Sequence, residues 1–275
     1  MMFVIFPVLL LFVHCPVQER PLPQYLILYA FDAEGQVLME KMSITETRTI
    51  LGRPVCSGEL SGKNIVIAES GVGMTNAAMT AQKLIDVYQL GAVIFTGIVG
   101  AVDTSVHIGD IVVCESWTTH DFGYYGDNGF QPGGIRFYSP QLDSLVERSD
   151  FTVDSSMYEI AEDLTDEVSL SQKIGDRTPQ LLVGGIGVSG NSFIDNPEKR
   201  IWLNKTYDAL ITDMETAAVA QVCAVNDIPF IAFRSASDLA GGSGSESAKE
   251  EMDEFFEIAA ENSSTIVIRF LENVD

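Results

Sequence analysis

A chain of 275 residues, 46% hydrophobic and 20% charged, carries enough apolar material for one large globular domain. Its formal charge of −23 argues against nucleic acid or an anionic membrane surface as partner, since both would repel it. The acidic residues gather in 143–176 and 246–261, on what read as solvated helix faces.

Residues 1–20 begin with the apolar run M-M-F-V-I-F-P-V-L-L-L-F-V and pass into a Pro-rich polar spacer. The run falls short of the roughly 20 residues a transmembrane helix needs. It fits the core of a signal peptide better, although no Lys or Arg precedes it and Pro7 interrupts it. Export is therefore the expectation, with a cytoplasmic protein as the alternative. Cys15 stands where a lipid-modified cysteine would, but Val13 and His14 are poor neighbours for such a site. Cys56, Cys114 and Cys223 lie singly in apolar segments and read as core thiols. His14, His107 and His120 lack ligand spacing, so neither a metal nor a cofactor is expected.

Residues 21–275 are expected to form a single domain. The aromatic and aliphatic run 25–31 reads as a buried strand ending in Asp32-Ala33-Glu34-Gly35, after which Val37, Leu38 and Met39 suggest a helix. Two strands, 55–60 and 64–69, are joined by Ser61-Gly62-Lys63 as a hairpin. The second enters Ser70-Gly71-Val72-Gly73 and an Ala-rich helix, a turn whose free N–H groups can hold an anion or a polar ligand. Residues 92–96 and 111–114 are further strands. The aromatic, Gly-rich stretch 117–134 reads as an irregular loop, either a lid or an oligomer contact. A helix over 154–170 and one strand over 180–188 follow, the latter running into S-G-N-S-F-I-D-N. A helical segment then precedes the strand 209–212. The helix 215–226 leads to the strand 229–235, and a long helix from Lys249 to about Leu271, interrupted near Asn262, closes the chain. Alternating strands and helices predict a three-layer α/β/α domain around a central mixed sheet.

The chemistry concentrates in 212–240. Glu215 follows Met214 at the start of an apolar helix, and Arg234, Ser237 and Asp238 lie where the next strand ends. Ligands of open α/β sheets sit at such strand ends. Phe193 can stack on a flat base, Met214 can pack on a ribose, and Glu215 can accept from vicinal hydroxyls. Breaking a glycosidic bond needs an acid on the departing base, a role for Asp238, while Glu34 can activate water. Simpler roles fit the same residues: a cap for Asp238 and Glu34, a first-turn carboxylate for Glu215, core packing for Phe193, and for Arg234 a buried pair with Glu215 or Asp238.

Four blocks resemble the purine nucleoside phosphorylase/nucleosidase superfamily, and most closely its methylthioadenosine/S-adenosylhomocysteine nucleosidases. They are Ser70–Gly73 with the Ala-rich helix, Gly109-Asp110-Ile111-Val112, Ser189–Ile194, and Met214–Ala218 with Arg234–Asp238. The resemblance extends over nearly all of the chain after the leader. It implies a phosphorylase/hydrolase-like fold and hydrolysis of a purine nucleoside in nucleoside metabolism and methionine salvage. Asp238 is then the purine-protonating acid, Ser237 its positioning neighbour, and Glu215 and Met214 the ribose contacts. Phe193 stacks on the base, Ile194 reads its edge through the backbone, Glu34 activates water and Arg234 helps fix the water site. Gly73 and Ile98 are expected beside the substrate. Aromatics in 124–130 are expected at the 5′ substituent of a neighbouring subunit's ligand, which implies a homodimer.

The chain departs from the family pattern at Ile98, where a serine is common, and at Asn191, where aspartate is common. No basic cluster is evident near 71–74, which favours water over phosphate as nucleophile. A phosphate-dependent phosphorylase and a non-catalytic exported nucleoside-binding protein of the same fold stay open as alternatives.

Overall fold

The computed structural model describes residues 24–167, 170 and 173–274. The expected leader over residues 1–20, with Cys15 and His14, lies outside the described residues. β1 (Gln24–Tyr29) runs into α1 (Asp32–Lys41), and the antiparallel strands β2 (Ser43–Ile50), β3 (Arg53–Leu60) and β4 (Lys63–Glu69) follow. α2 (Met74–Val87) leads to the long strand β5 (Leu90–Ala101), then to β6 (Ile111–Val113) and β7 (Ser116–Thr119). Two hairpins come next, β8 (Gly123–Gly126) with β9 (Gly129–Pro132), and β10 (Ile135–Ser139) with β11 (Ser144–Arg148). After them come β12 (Asp150–Thr152), α3 (Ser155–Glu167), β13 (Leu181–Val183), β14 (Ile186–Ser189) and α4 (Pro197–Tyr207). β15 (Ala209–Asp213), α5 (Thr216–Asn226), β16 (Phe230–Leu239) and α6 (Ala248–Asn273) end the described chain.

Twelve strands share one sheet in the order β12-β7-β14-β15-β5-β1-β4-β3-β2, with β16, β6 and β13 branching from β5. β5 pairs in parallel with β1 and β16 but antiparallel with β15, so the sheet is mixed. Side chains alternate across it. Leu26 and Leu28 pack with Ala77 and Leu84 of α2 and Val219 and Cys223 of α5. Ile27 and Tyr29 face Leu38 of α1, Met157 of α3 and Phe270 of α6. Helices therefore cover both faces, which is the three-layer α/β/α arrangement expected.

The same alternation orients β16. Phe230 and Ala232 face the α2–α5 layer, while Ile231 and Phe233 face α6, with the Phe233 and Phe270 rings 5.0 Å apart. Arg234 thus belongs on the α2–α5 face, the side from which Glu215 arrives. Beyond it the β5–β16 register slips by one between Ala236 and Asp238, a bulge that re-aims the residues after it.

Four expectations are corrected. The stretch 117–134 is not irregular: it holds β7 and the β8–β9 hairpin. The single strand over 180–188 is two, because Gly184 and Gly185, at φ 129° and 74°, turn the chain between β13 and β14. α6 continues through Asn262, whose Nδ2 donates to the Gly109 carbonyl at 3.0 Å and so serves the packing instead of breaking the helix. β16 extends to Leu239, which puts Asp238 inside a strand. β2, a polar run along the sheet edge, carried no apolar alternation to announce it. Cys56, Cys114 and Cys223 are buried free thiols. Among the described residues no helix is long and apolar enough to cross a membrane.

Candidate active site

The carboxyl ends of β1, β5, β15 and β16 enclose a cavity of about 250 Å³. Glu34, Ile98, Phe193, Met214, Glu215, Ser237 and Asp238 line it, with Phe31, Val72 and Met252. A smaller hollow of about 30 Å³ adjoins it, sharing Phe193, Met214 and Asp238 and adding Ser192 and Ile194. Cavities of about 350 and 430 Å³ lie elsewhere, around Phe137 and Pro229 and around Tyr25 and Lys63. Neither gathers a comparable set of buried acids, so the chemistry points to the 250 Å³ cavity. Among the described residues no group of His, Cys, Asp and Glu could hold a metal.

Asp238 is 2% exposed. Its Oδ2 accepts from Ser237 Oγ at 2.9 Å, while its buried Oδ1 finds no hydrogen-bond partner among the described residues. Burial pushes its pKa up to about 7, against the Ser237 bond and with the help of Glu251 and Asp195. A neutral carboxyl with an unmatched oxygen at a cavity wall is equipped to give a proton to whatever lies there.

Glu215 stands just ahead of α5, as expected, and is held from both sides. Gly73 N donates to its Oε1 at 2.7 Å, and Arg234 Nη2 lies 3.4 Å from its Oε2. Burial and the neighbouring Asp213 raise its pKa, and Arg234 lowers it. Arg234 itself is 1% exposed and lies behind the cavity wall rather than in it. Its Nη2 pairs with Asp213 Oδ2 at 2.6 Å, its Nη1 donates to the Thr96 carbonyl at 3.0 Å, and its guanidinium covers the Phe95 ring at 4.6 Å. Arg234 also acts by its charge on Glu34, the carboxylate expected to activate water. It is a buried cation shared by Asp213 and Glu215, and Asp238 is not its partner.

Glu34 sits in the first turn of α1 and is buried. Its Oε2 accepts from Ala30 N at 2.6 Å and its Oε1 from Ile98 N at 2.8 Å. Burial raises its pKa, opposed first by Arg234 and then by these N–H groups. Gly97, at φ 143°, makes this approach possible. A Cβ there would collide with Glu34 Oε1 and Arg234 Nη1, so β5 can carry only glycine at this point.

Phe193 is 44% exposed and lines the cavity, which removes the core-packing reading. Gly73 does not line it; the residue acts through the N–H it gives to Glu215. The turn has no free N–H at its end, because Met74 N donates to Asn191 Oδ1 at 3.1 Å. Nor is it without a cation: Arg53 packs against Gly71 and pairs with Glu69 at 3.4 Å. Asp110, in one of the resembling blocks, is fully buried and taken by Arg177 at 2.5 and 2.8 Å. Asp213 was missed from the sequence. It accepts from Ser189 Oγ, from Thr216 Oγ1 and, at 3.2 Å, from Thr216 N. The D-x-x-T spacing ahead of an apolar helix was the available signal for such a cap.

Comparison with known proteins places the chain in a family. The profile of the Phosphorylase superfamily matches residues 24–272. A 5′-methylthioadenosine/S-adenosylhomocysteine nucleosidase from Halalkalibacterium halodurans is 32% identical over 248 residues, covering 88% of this chain and 95% of the relative. One from Tolumonas auensis is 30% identical over 250 residues, covering 90% and 98%. A solved nucleosidase of the same name from Colwellia psychrerythraea, in complex with adenine, superposes with a TM-score of 0.76 at 29% identity, covering 90% of this chain and 94% of that one. The chain belongs to the phosphorylase superfamily.

Proposed function

We propose that this protein hydrolyses the N-glycosidic bond of a 5′-thio-substituted adenosine, methylthioadenosine or S-adenosylhomocysteine, to adenine and a thioribose. The enzyme class, an N-glycosidic bond hydrolase, follows from the superfamily and from relatives named nucleosidases that match over nearly their whole length. The observation that carries the reading is the convergence of Glu34, Glu215 and Asp238, all buried, on one cavity walled by Phe193 and Met214. Asp238, its pKa pushed up to about 7 by burial and its Oδ1 unmatched among the described residues, gives its proton to the departing purine. Glu215 accepts from the ribose hydroxyls and balances the oxocarbenium charge that grows on the sugar. Glu34 takes a proton from the attacking water. Arg234 keeps the site's negative charge tolerable by holding Asp213 and Glu215.

Water is favoured over phosphate because Gly73 N and Met74 N are already bound to Glu215 and Asn191. A homodimer belongs to the same proposal. Tyr124 and Tyr125, 68% and 79% exposed on the β8–β9 hairpin, are suited to reach a second copy. Export through the leader stays part of the proposal. The test is incubation with methylthioadenosine, adenosylhomocysteine, adenosine and inosine, with and without phosphate. Free adenine and an unphosphorylated sugar are expected from the thioadenosines at a phosphate-independent rate; a sugar 1-phosphate would reverse the reading.

A further inference from the structure

The two adjoining hollows give the cavity a direction. Phe193, Met214 and Asp238 border both, and Ser192 and Ile194 border only the small one, so the base end lies there. Phe31, Val72 and Met252 are apolar residues that border only the large one, and we take the side of Phe31 and Val72, where β1 and β4 end, as the one toward which a 5′ substituent extends. The walls at that end are apolar and suit a thioether.

What surrounds this apolar end is not apolar. Asp32 follows Phe31 directly and is exposed at the start of α1. The Arg53 guanidinium packs on Gly71, next to Val72, and pairs with Glu69 at 3.4 Å. Glu69 ends β4 beside Tyr29, the last residue of β1, so all three charges meet where β1 and β4 deliver the chain to the cavity. Arg53 and Glu69 are only partly exposed, with 39% and 21% of their side chains reaching solvent. The Glu69 carboxyl is raised by burial and by Asp32 and lowered by Arg53, which fits carboxylates crowded around one cation.

The geometry points to a receptor for a zwitterion at this rim: Arg53 takes the carboxylate, and Asp32 with Glu69 takes the ammonium, of an α-amino acid carried on the 5′ sulfur. This rests on the nucleosidase reading above and deepens it, making S-adenosylhomocysteine the substrate the rim selects. Methylthioadenosine ends in a methyl group inside the apolar section and does not reach the rim. The matching is one of charge and reach: a guanidinium presents paired N–H donors to a carboxylate, while carboxylates accept from an ammonium.

The experiment measures kcat and KM of the full chain and of Arg53→Ala for both substrates, in low and high salt. KM for adenosylhomocysteine is expected to rise by about five- to tenfold in the variant, in the range of one charge-assisted contact discounted for exposure. Methylthioadenosine should keep its KM within about twofold, the reach of a lost surface ion pair. High salt should raise the wild-type KM for adenosylhomocysteine alone. Asp32→Asn should act in the same selective way. An equal change for both substrates, or none, overturns the receptor while leaving the nucleosidase reading intact. Failure of the wild type to release adenine from either substrate removes both. A phosphate-dependent rate lost in Arg53→Ala would assign Arg53 to a co-substrate anion and also overturn the receptor.

Discussion

The Gly73 amide donates to Glu215 Oε1 at 2.7 Å across 142 positions of sequence, so the turn before α2 and the start of α5 locate each other. The carboxylate proposed to bind the ribose is thereby fixed from a distant part of the chain. Glu215→Gln keeps an acceptor for Gly73 but sets an amide against Arg234. The expected loss is about 10- to 100-fold in kcat/KM, the worth of a hydrogen bond to a charged group. Steady-state kinetics on methylthioadenosine checks it, with far-UV circular dichroism unchanged.

Asp238 predicts a pH dependence with two faces. Its proton is needed for catalysis, so kcat/KM falls as pH rises through about 7. Stability moves with it. Between the ordinary value of 3.8 and about 7, the folded protein holds a proton that the unfolded chain has released, so stability is lost as pH rises across that window. Asp238→Asn should cut kcat by about 10²- to 10⁴-fold while nucleoside binding survives. It should also melt higher than wild type at pH 8, by an amount that shrinks toward pH 4. A variant with full activity would remove Asp238 from the reaction.

Gly97 offers a way to displace Glu34 without mutating it. Gly97→Ala sets a Cβ against Glu34 Oε1 and Arg234 Nη1. It is expected to lower kcat as much as Glu34→Gln does, and the double variant should be no worse than either single one. Additive losses would show that the two residues act separately.

Arg234→Met leaves Asp213 and Glu215 facing each other without their shared cation. Removing one partner of a buried ion pair costs about 3–5 kcal/mol. The denaturation midpoint should fall accordingly. Adding Asp213→Asn to Arg234→Met should recover part of the loss; no recovery would mean that Arg234 matters through its packing on Phe95.

Much of the architecture was legible in the order of residues, because burial on both faces of a sheet leaves short apolar runs between amphipathic helices. β1, the 92–96 part of β5, the helix after Gly73 and the apolar helix after Glu215 all carry that pattern. β2 did not, since an edge strand in solvent has no apolar face to write into its sequence. The hairpin β8–β9 was hidden for a related reason: two short strands rich in glycine and aromatics show little alternation.

The identities of Glu34, Phe193, Met214, Glu215 and Asp238 as candidates came from residue types at strand ends. That much is local chemistry. Which of them share a cavity, and which stand behind it, depended on pairings between strands far apart in sequence. The sheet turns Arg234 toward Asp213, behind the cavity wall, and Asp213 gains a role only where Ser189, Thr216 and Arg234 close on it. One strand-register slip before Asp238 and one absent Cβ at Gly97 set the distances on which the chemistry depends. The sequence by itself determined which acids the chain owns and roughly which turns carry them. Tertiary structure decided their ionisation and their partners, because both are properties of burial and proximity, which no single segment possesses.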